Sequence, residues 1–116
     1  MIVIDTSVLI EILKRTQQGI RAAEALGDEP LSMTAITVHE LLVGKADTKI
    51  DLAILDYDAR AAKHSAAIER TLRDKGRMVN KADILIAGVC IANDATLATF
   101  DHDFTKIPGL DVKVLT

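Results

Sequence analysis

Short apolar segments with the character of β-strands alternate with helical segments along a chain of 116 residues. The first is the β-branched run Ile-Val-Ile at 2–4, typical of a buried strand, and from Thr6 the apolar spacing becomes helical. Further strands are predicted at 31–33, 53–57, 96–100 and 111–115. Helices are predicted from 6 to about 14–15 and at 20–26, 34–45, 59–75 and 82–93, with a loop at 101–109. This alternation predicts an α/β three-layer sandwich with a central parallel β-sheet flanked by helices.

The apolar spacing also predicts which helix faces are buried. In the helix of 34–45 the expected inward residues are Val38, Leu41 and Leu42. In the helix of 59–75 they are Ala62, Ala66, Ile68 and Leu72. The nearly all-apolar helix of 82–93 is expected to lie in the interior. Its single cysteine, Cys90, is then a small buried hydrophobe, and a cysteine-only metal cage is excluded.

Composition limits the classes of function. A chain of 116 residues is expected to form one domain, 1–116. The net charge of −3 argues against broad electrostatic binding of nucleic acid, and an aromatic content of 3% argues against base stacking. The sequence contains neither a signal-peptide pattern nor an apolar stretch of membrane-spanning length. We therefore expect a cytoplasmic protein without a membrane partner.

Acidic residues follow two of the predicted strands. Asp5 comes directly after the first strand, Asp101 follows the strand 96–100, and Asp103 comes two residues later. If these strands are parallel neighbours, their carboxyl ends lie at one edge of the sheet, where α/β proteins bind ligands. Asp83 begins the helix that leads into the later strand, and Glu40 borders the apolar face of its own helix. The sequence thus predicts an acidic cluster at this edge.

Each acid also has a local explanation. Asp5 would be a helix N-cap, Glu40 would form a capping box with Thr37, Asp83 would complement a helix dipole, and Asp101 would make an Asx turn. As a group, however, these carboxylates would repel one another unless a cation lay among them. Oxygen ligands without a His or Cys cluster favour Mg²⁺ or Mn²⁺ over zinc. A metal of this kind suits phosphodiester chemistry, since it activates water and polarises phosphate.

The other polar residues carry weaker indications. A structural or surface role is favoured for the histidines His39, His64 and His102, because a metal hydroxide needs no protein base. Lysines and arginines are usually solvated, although those on the acidic edge, of which Lys14, Arg15 and Lys45 are candidates, would be able to hold the phosphates of a substrate. Lys81 is expected to be solvated, with pairing to Asp83 or to a substrate phosphate as alternatives.

Four stretches together resemble the PIN domain family, and more narrowly the VapC-type toxins of bacterial and archaeal toxin–antitoxin pairs. They are IDTSVLIEIL (4–13), ITVHELLVG (36–44), KADILIAGVCIANDATLATFDHDF (81–104) and IPGL (107–110). The match runs through nearly the whole chain in the family's order. The segment between Gly44 and Asp58 is shorter than in many relatives, which affects the expected dimer and antitoxin surfaces more than the chemistry.

The resemblance implies a Mg²⁺- or Mn²⁺-dependent endoribonuclease toxin that cleaves RNA with a metal-activated water. The acids of the family fall on Asp5, Glu40 and Asp83. The fourth falls on Asp101, with Asp103 as a second candidate ligand. The hydroxyl residues that would support the carboxylates are Thr6, Ser7 and Thr99. One or two metal ions, a homodimer and a VapB-type antitoxin whose tail enters the acidic groove are also implied.

Two other classes of function compete with this interpretation. A receiver domain or an aspartate-nucleophile phosphatase would also place an acid after its first strand. The phosphatase motif, however, needs a second aspartate where this chain has Ser7, and a receiver needs paired acids where this chain has Asp5 alone. The second class is a PIN-like binding module without catalysis, against which the full set of acids argues.

Overall fold

The computed structural model describes residues 1–45 and 50–115, and within them the chain forms five strands, five α-helices and one 3₁₀ helix. The strands are β1 (Ile2–Ile4), β2 (Leu31–Thr34), β3 (Ala53–Leu55), β4 (Thr96–Thr99) and β5 (Asp111–Val114). The α-helices are α1 (Thr6–Lys14), α2 (Gln17–Leu26), α3 (Ala35–Val43), α4 (Ala59–Asp74) and α5 (Lys81–Ala92). Residues 46–49, in the short segment between Gly44 and Asp58, lie outside the described residues. None of the described helices combines the length and apolarity that crossing a membrane requires.

The five strands form one parallel sheet in the order β3-β2-β1-β4-β5. The central strand β1 pairs with β2 on one side and β4 on the other, and Ile4 lies opposite Ala98. The chain moves outward in one direction through β2 and β3 and in the other through β4 and β5. This reversal opens a crevice at the carboxyl ends of β1 and β4, where parallel sheets bind ligands.

Helices cover both faces of the sheet and produce two hydrophobic cores. Val3 and Leu97 pack with α4 and α5 on one face. Ile2, Ile4 and Ala98 pack with residues of α1 and α2 on the other. Side chains alternate between the two faces of a strand, so a strand buried on both faces is apolar throughout. The predicted three-layer α/β sandwich is confirmed.

The buried helix α5 packs closely against α4. A Cβ atom on Gly88 would lie 2.7 Å from the Ser65 Cβ and 2.7 Å from the carbonyl oxygen of Ala61, so only glycine allows this approach. Cys90 is fully buried, as predicted, and burial together with the charge of Asp5 raises the pKa of its thiol to about 12. An inert thiol in a helix core agrees with a packing role for this cysteine.

Two predictions about helix faces are wrong. Leu42 was expected to be inward, but 57% of it is exposed, because the buried side of α3 runs through Thr37 and Leu41 instead. Ala66 is also exposed, and Ser65 takes its place on the buried side of α4. The buried serine hydroxyl is satisfied by the Tyr57 hydroxyl at 2.6 Å and by the carbonyl of Ala62 at 3.1 Å.

Two further differences from the prediction lie at the start of α2 and in the predicted loop at 101–109. Helix α2 begins at Gln17 rather than at 20, because Thr16 caps it by accepting a hydrogen bond from the Gly19 backbone N–H at 3.0 Å. The predicted loop at 101–109 contains a 3₁₀ helix over His102–Lys106. Short helices of this kind are common connectors and have no apolar period of their own to reveal them.

Candidate active site

Asp5 lies at the carboxyl end of the central strand β1 and is the N-cap of α1. Its Oδ1 atom accepts a hydrogen bond from the Thr6 backbone N–H at 2.8 Å. Its Oδ2 atom accepts hydrogen bonds from the Thr99 hydroxyl at 2.8 Å and from the Ser7 hydroxyl at 3.3 Å. The residue is only 6% exposed. The predicted N-cap role of Asp5 is therefore confirmed, and it leaves the predicted place of Asp5 in the acidic cluster open, because a strand end is also a helix start.

Burial is the main influence on the charge of Asp5 and raises its pKa. Hydrogen bonds from Thr99, Thr6 and Ser7 stabilise the carboxylate and partly oppose this effect, while the charge of Glu40 adds to it. The net direction is upward. A carboxyl group with three donors and a raised pKa lacks a nearby positive charge of the kind that would stabilise its ionised form.

Asp83 lies in the first turn of α5 and is half-buried. Its carboxyl group makes no hydrogen bond or ion pair with another described residue. Its pKa is raised to about 6, first by burial and then by the negative charges of Asp5, Asp101, Glu40 and Asp103, in that order. The fold therefore brings all five predicted acids close enough to repel one another.

Glu40 reaches the same edge of the sheet from α3. Its Oε1 atom accepts a hydrogen bond from the Thr6 hydroxyl at 2.7 Å, which ties α3 to the start of α1. The alternative capping box between Thr37 and Glu40 is wrong. The N-cap of α3 is Thr34, whose hydroxyl accepts from the Thr37 backbone N–H at 3.1 Å.

The structure distinguishes the environments of the two late aspartates. The backbone N–H of Asp101 donates to the Thr99 hydroxyl at 3.1 Å, and Thr99 in turn donates to Asp5. Asp101 also makes the expected Asx turn, since its Oδ1 accepts from the Asp103 N–H at 2.8 Å. Asp103 is exposed and pairs with Lys106 at 2.9 Å. These contacts favour Asp101 as the fourth acid, in the predicted order, although its role stays a prediction.

The acids lie near one another without forming a closed cage. Among residues 1–45 and 50–115, no three His, Cys, Asp or Glu side chains are placed to enclose a metal ion by themselves. The donors are nevertheless all carboxylate oxygens, and Asp83 carries an uncompensated repulsion that a cation would relieve. Mg²⁺ retains several waters and is usually held by one or two carboxylates and the substrate phosphate. The donor set fits a hard divalent cation in an open site.

Comparison with known proteins shows to which family the chain belongs. The model of the PIN domain family matches residues 2–110. The chain belongs to the PIN domain family. "Ribonuclease VapC5" of Mycobacterium tuberculosis is 32% identical, over 92% of this chain and 87% of that protein. "tRNA(fMet)-specific endonuclease VapC" of Salmonella typhimurium is 27% identical, over 95% of this chain and 94% of that protein.

A solved structure agrees with the family at the level of the fold. The crystal structure of VapBC2 from Rickettsia felis bound to a DNA fragment from their promoter contains a chain with a TM-score of 0.82 to this PIN domain. The two chains are 26% identical, and the alignment covers 100% of each. The family resemblance drawn from the sequence motifs is confirmed.

Among the described residues, no lysine, arginine or histidine forms an ion pair with Asp5, Glu40, Asp83 or Asp101. The Lys81 ammonium pairs with Glu69 of α4, not with Asp83, and lowers the pKa of Glu69 by hydrogen bonding and by charge. The histidines His39, His64 and His102 are all exposed, as are the proposed phosphate-binding residues Lys14, Arg15 and Lys45.

A cavity of about 700 Å³ lies between α1, α2 and β5, and none of the five acids lines it. Cavity size therefore does not locate the site in this PIN domain.

Two threonines near the site were missed from the sequence. Thr34 and Thr37 are fully buried polar residues next to Thr6, and their hydroxyl groups extend the hydrogen-bond network around Glu40. The signal was the spacing of Thr37 and Glu40, which places both on one side of α3 directly after the N-cap Thr34. It was overlooked because threonine at a helix start is usually explained by capping alone.

The raised pKa of Asp83 predicts how the stability of the metal-free PIN domain depends on pH. The folded state holds this proton with a pKa of about 6, against an ordinary aspartate pKa of 3.8 in the unfolded chain. The contribution of Asp83 to stability is therefore complete below pH 3.8 and is lost as the pH rises to about 6. We expect the melting temperature of the wild type, relative to Asp83→Asn, to fall between pH 4 and pH 7. A difference that stays constant across this range would contradict the raised pKa.

Proposed function

We propose that this PIN domain is a VapC-type endoribonuclease that hydrolyses RNA phosphodiester bonds with the help of Mg²⁺ or Mn²⁺. The observation that carries the proposal is the convergence of four carboxylates from β1, α3, α5 and the end of β4 on the crevice where the strand order reverses. The matching relatives that are named ribonucleases span nearly the whole chain and support the same reaction class.

The residues that would hold the metal are Asp5, Glu40, Asp83 and Asp101, with Asp103 at the rim. A bound Mg²⁺ or Mn²⁺ supplies Lewis-acid activation of water and of the phosphate. Without a cation, the acidic crevice repels an RNA phosphate. The chain by itself, with a net charge of −3, is therefore expected to bind RNA weakly in the presence of a chelator.

The hydroxyl groups of the site orient the carboxylates. Thr99 and Ser7 both donate to the Oδ2 atom of Asp5, and Thr6 donates to Glu40. These hydrogen bonds fill both lone pairs of Asp5 Oδ2, since each carboxylate oxygen accepts two, and leave further acceptor positions on Asp5 Oδ1 and on Glu40 without a donor from the described residues. Outer partners of this kind fix the direction from which a carboxylate binds its cation.

The competing phosphate-handling functions are less well supported. An aspartate-nucleophile phosphatase needs a second carboxylate two residues after Asp5, and the Ser7 found there donates its hydroxyl to Asp5 instead. A non-catalytic binding module would have no need to hold Asp83 among four other acids at an electrostatic cost.

The proposed partners follow from the relatives. Solved complexes named VapBC, which cover this chain almost completely, support a VapB-type antitoxin as the protein that inhibits the nuclease. A homodimer and a cytoplasmic location belong to the same proposal. The oligomeric state is measured by sedimentation of the purified protein, and a monomer at all concentrations would remove the dimer from the proposal.

The decisive experiment is metal-dependent cleavage of a mixed RNA pool by the wild type and by Asp5→Asn. We expect cleavage with Mg²⁺ or Mn²⁺, none with a chelator, and a loss of more than about 100-fold in Asp5→Asn, since loss of even an outer partner costs 10–100-fold. Asp28→Asn is the control, because Asp28 is exposed and precedes β2 at the opposite edge of the sheet. Wild-type cleavage that resists the chelator, or full activity in Asp5→Asn, would refute the proposed site.

A further inference from the structure

A continuous chain of threonine hydroxyl groups leads from the start of α3 to Glu40. The hydroxyl of Thr34 donates to the hydroxyl of Thr37 at 3.4 Å. The Thr37 hydroxyl lies 2.9 Å from the hydroxyl of Thr6, and Thr6 donates to Glu40 Oε1 at 2.7 Å. The chain links β2, α3 and α1 through side chains alone, over a sequence separation of 31 residues between Thr6 and Thr37.

The number of protons available allows these threonine hydroxyl groups to donate in one direction only. A threonine hydroxyl has one proton to donate, and Thr6 gives its proton to Glu40. Thr6 must therefore accept from Thr37, whose own proton is then used, and Thr37 can only accept from Thr34. Thr34 in turn accepts from the backbone N–H of Thr37 at 3.1 Å. All the donors thus point toward the carboxylate of Glu40.

Helix capping explains only part of this arrangement. Thr34 is the N-cap of α3 and would accept from the Thr37 N–H in any capped helix. Capping does not require the contact between the hydroxyls of Thr37 and Thr6, nor the buried position of the Thr37 hydroxyl. Thr34 and Thr37 are both 0% exposed, so water does not compete for the bond between their hydroxyls, while the bonds of Thr6 to Thr37 and to Glu40 are partly buried. In such surroundings hydrogen bonds in series strengthen one another.

We propose that Thr37 is a positioning residue for the metal site, which it serves by fixing the Thr6 hydroxyl as a one-way donor to Glu40. When the Thr37 hydroxyl donates to the Thr6 hydroxyl oxygen, the Thr6 proton is left to donate to Glu40 Oε1. The second oxygen of Glu40 makes no hydrogen bond with the described residues, and the charge of Glu40 acts on Asp83. Thr34 sets the direction of the chain at its buried end. This inference rests on the proposed metal-dependent function.

The test compares Thr37→Val with Thr37→Ser. Valine keeps the size and the branched Cβ of threonine but removes the hydroxyl, and serine keeps the hydroxyl. We expect Thr37→Val to weaken Mn²⁺ binding to the full-length protein by about 10-fold, the lower end of the range for outer partners of metal ligands. The apparent metal constant for RNA cleavage should rise in parallel, with the KM for RNA unchanged. Thr37→Ser should restore both values.

The outcomes separate this inference from the proposed function. A folded Thr37→Val that binds Mn²⁺ like the wild type overturns the positioning role, as does a Thr37→Ser as weak as Thr37→Val. If the wild type neither binds Mn²⁺ nor cleaves RNA, the proposed function fails first. If Thr37→Val does not fold, proton NMR of the wild type tests whether the Thr37 hydroxyl donates to Thr6. A slowly exchanging Thr37 hydroxyl proton with a cross-peak to Thr6 supports the chain, and its absence refutes it.

Discussion

Replacing Asp83 by asparagine should abolish metal-dependent RNA cleavage and, at neutral pH, raise the melting temperature of the metal-free protein. The two effects have one cause. The carboxylate is half-buried among four other acids and makes no compensating bond with a described residue, so its charge destabilises the empty site. The same charge is what the proposed cation requires. Active-site residues commonly trade stability for function in this way.

The gain in stability should be modest. The rise of the Asp83 pKa from 3.8 to about 6 corresponds to at most about 3 kcal/mol. Because Asp83 is half-exposed, solvent screening reduces this to about 1 kcal/mol. For a domain of this size that is a rise of roughly 4 °C in melting temperature. The loss of cleavage should exceed about 100-fold, since a proposed metal ligand is removed.

The measurement is a pair of thermal melts and cleavage assays at pH 7.5, in chelator and in excess Mg²⁺. Added Mg²⁺ should raise the melting temperature of the wild type and have little effect on Asp83→Asn. Asp28→Asn serves as the control for removing a surface carboxylate. An Asp83→Asn protein that is less stable than the wild type in chelator would show that the carboxylate has a structural partner, and the account of the site would be wrong.

Gly19→Ala should destabilise the fold strongly, because the added methyl group would overlap backbone atoms of α1. A Cβ atom on Gly19 would lie 2.0 Å from the carbonyl oxygen of Glu11 and 2.7 Å from the backbone nitrogen of Ile12. Both contacts are with backbone atoms of α1, so a change of rotamer does not relieve them. We expect a loss of roughly 3 kcal/mol, the upper part of the usual range for overpacking. The melting temperature should fall by more than about 10 °C.

Gly44→Ala is the matched control for this prediction. At Gly44 the added Cβ would meet its nearest neighbour, the carbonyl oxygen of Glu40, at 3.4 Å, which is ordinary contact. The backbone φ of −77° suits alanine as well as glycine. Denaturant unfolding of both variants should show a large loss for Gly19→Ala and little change for Gly44→Ala. Equal stability of the two variants would mean that α1 and α2 are not packed as closely as described.

The helix faces show where sequence patterns are least informative. Alanine at 66 and serine at 65 are both small, and the apolar pattern alone favours burial of the alanine. The structure buries Ser65 because Tyr57 and the carbonyl of Ala62 satisfy its hydroxyl. The cost of burying a hydroxyl depends on partners elsewhere in the fold, which a local pattern does not contain.

The sequence by itself determined the α/β architecture, the membership of the PIN domain family and the set of candidate acids. Alternating strand and helix periods are local properties, and parallel strands bring their carboxyl ends to one edge whatever the details of packing. The sequence pattern therefore predicts that Asp5 and Asp101 lie at the same edge of the sheet.

Only the tertiary structure decided how these acids are held. Thr99 connects Asp101 to Asp5, and Lys106 pairs with Asp103, and neither contact was predicted from the sequence. The hydroxyl chain to Glu40 joins residues of α1 and α3 that are distant in sequence. Hydrogen bonds act over about 3 Å and depend on direction, so they are fixed by the packing of elements and not by the spacing of residues along the chain.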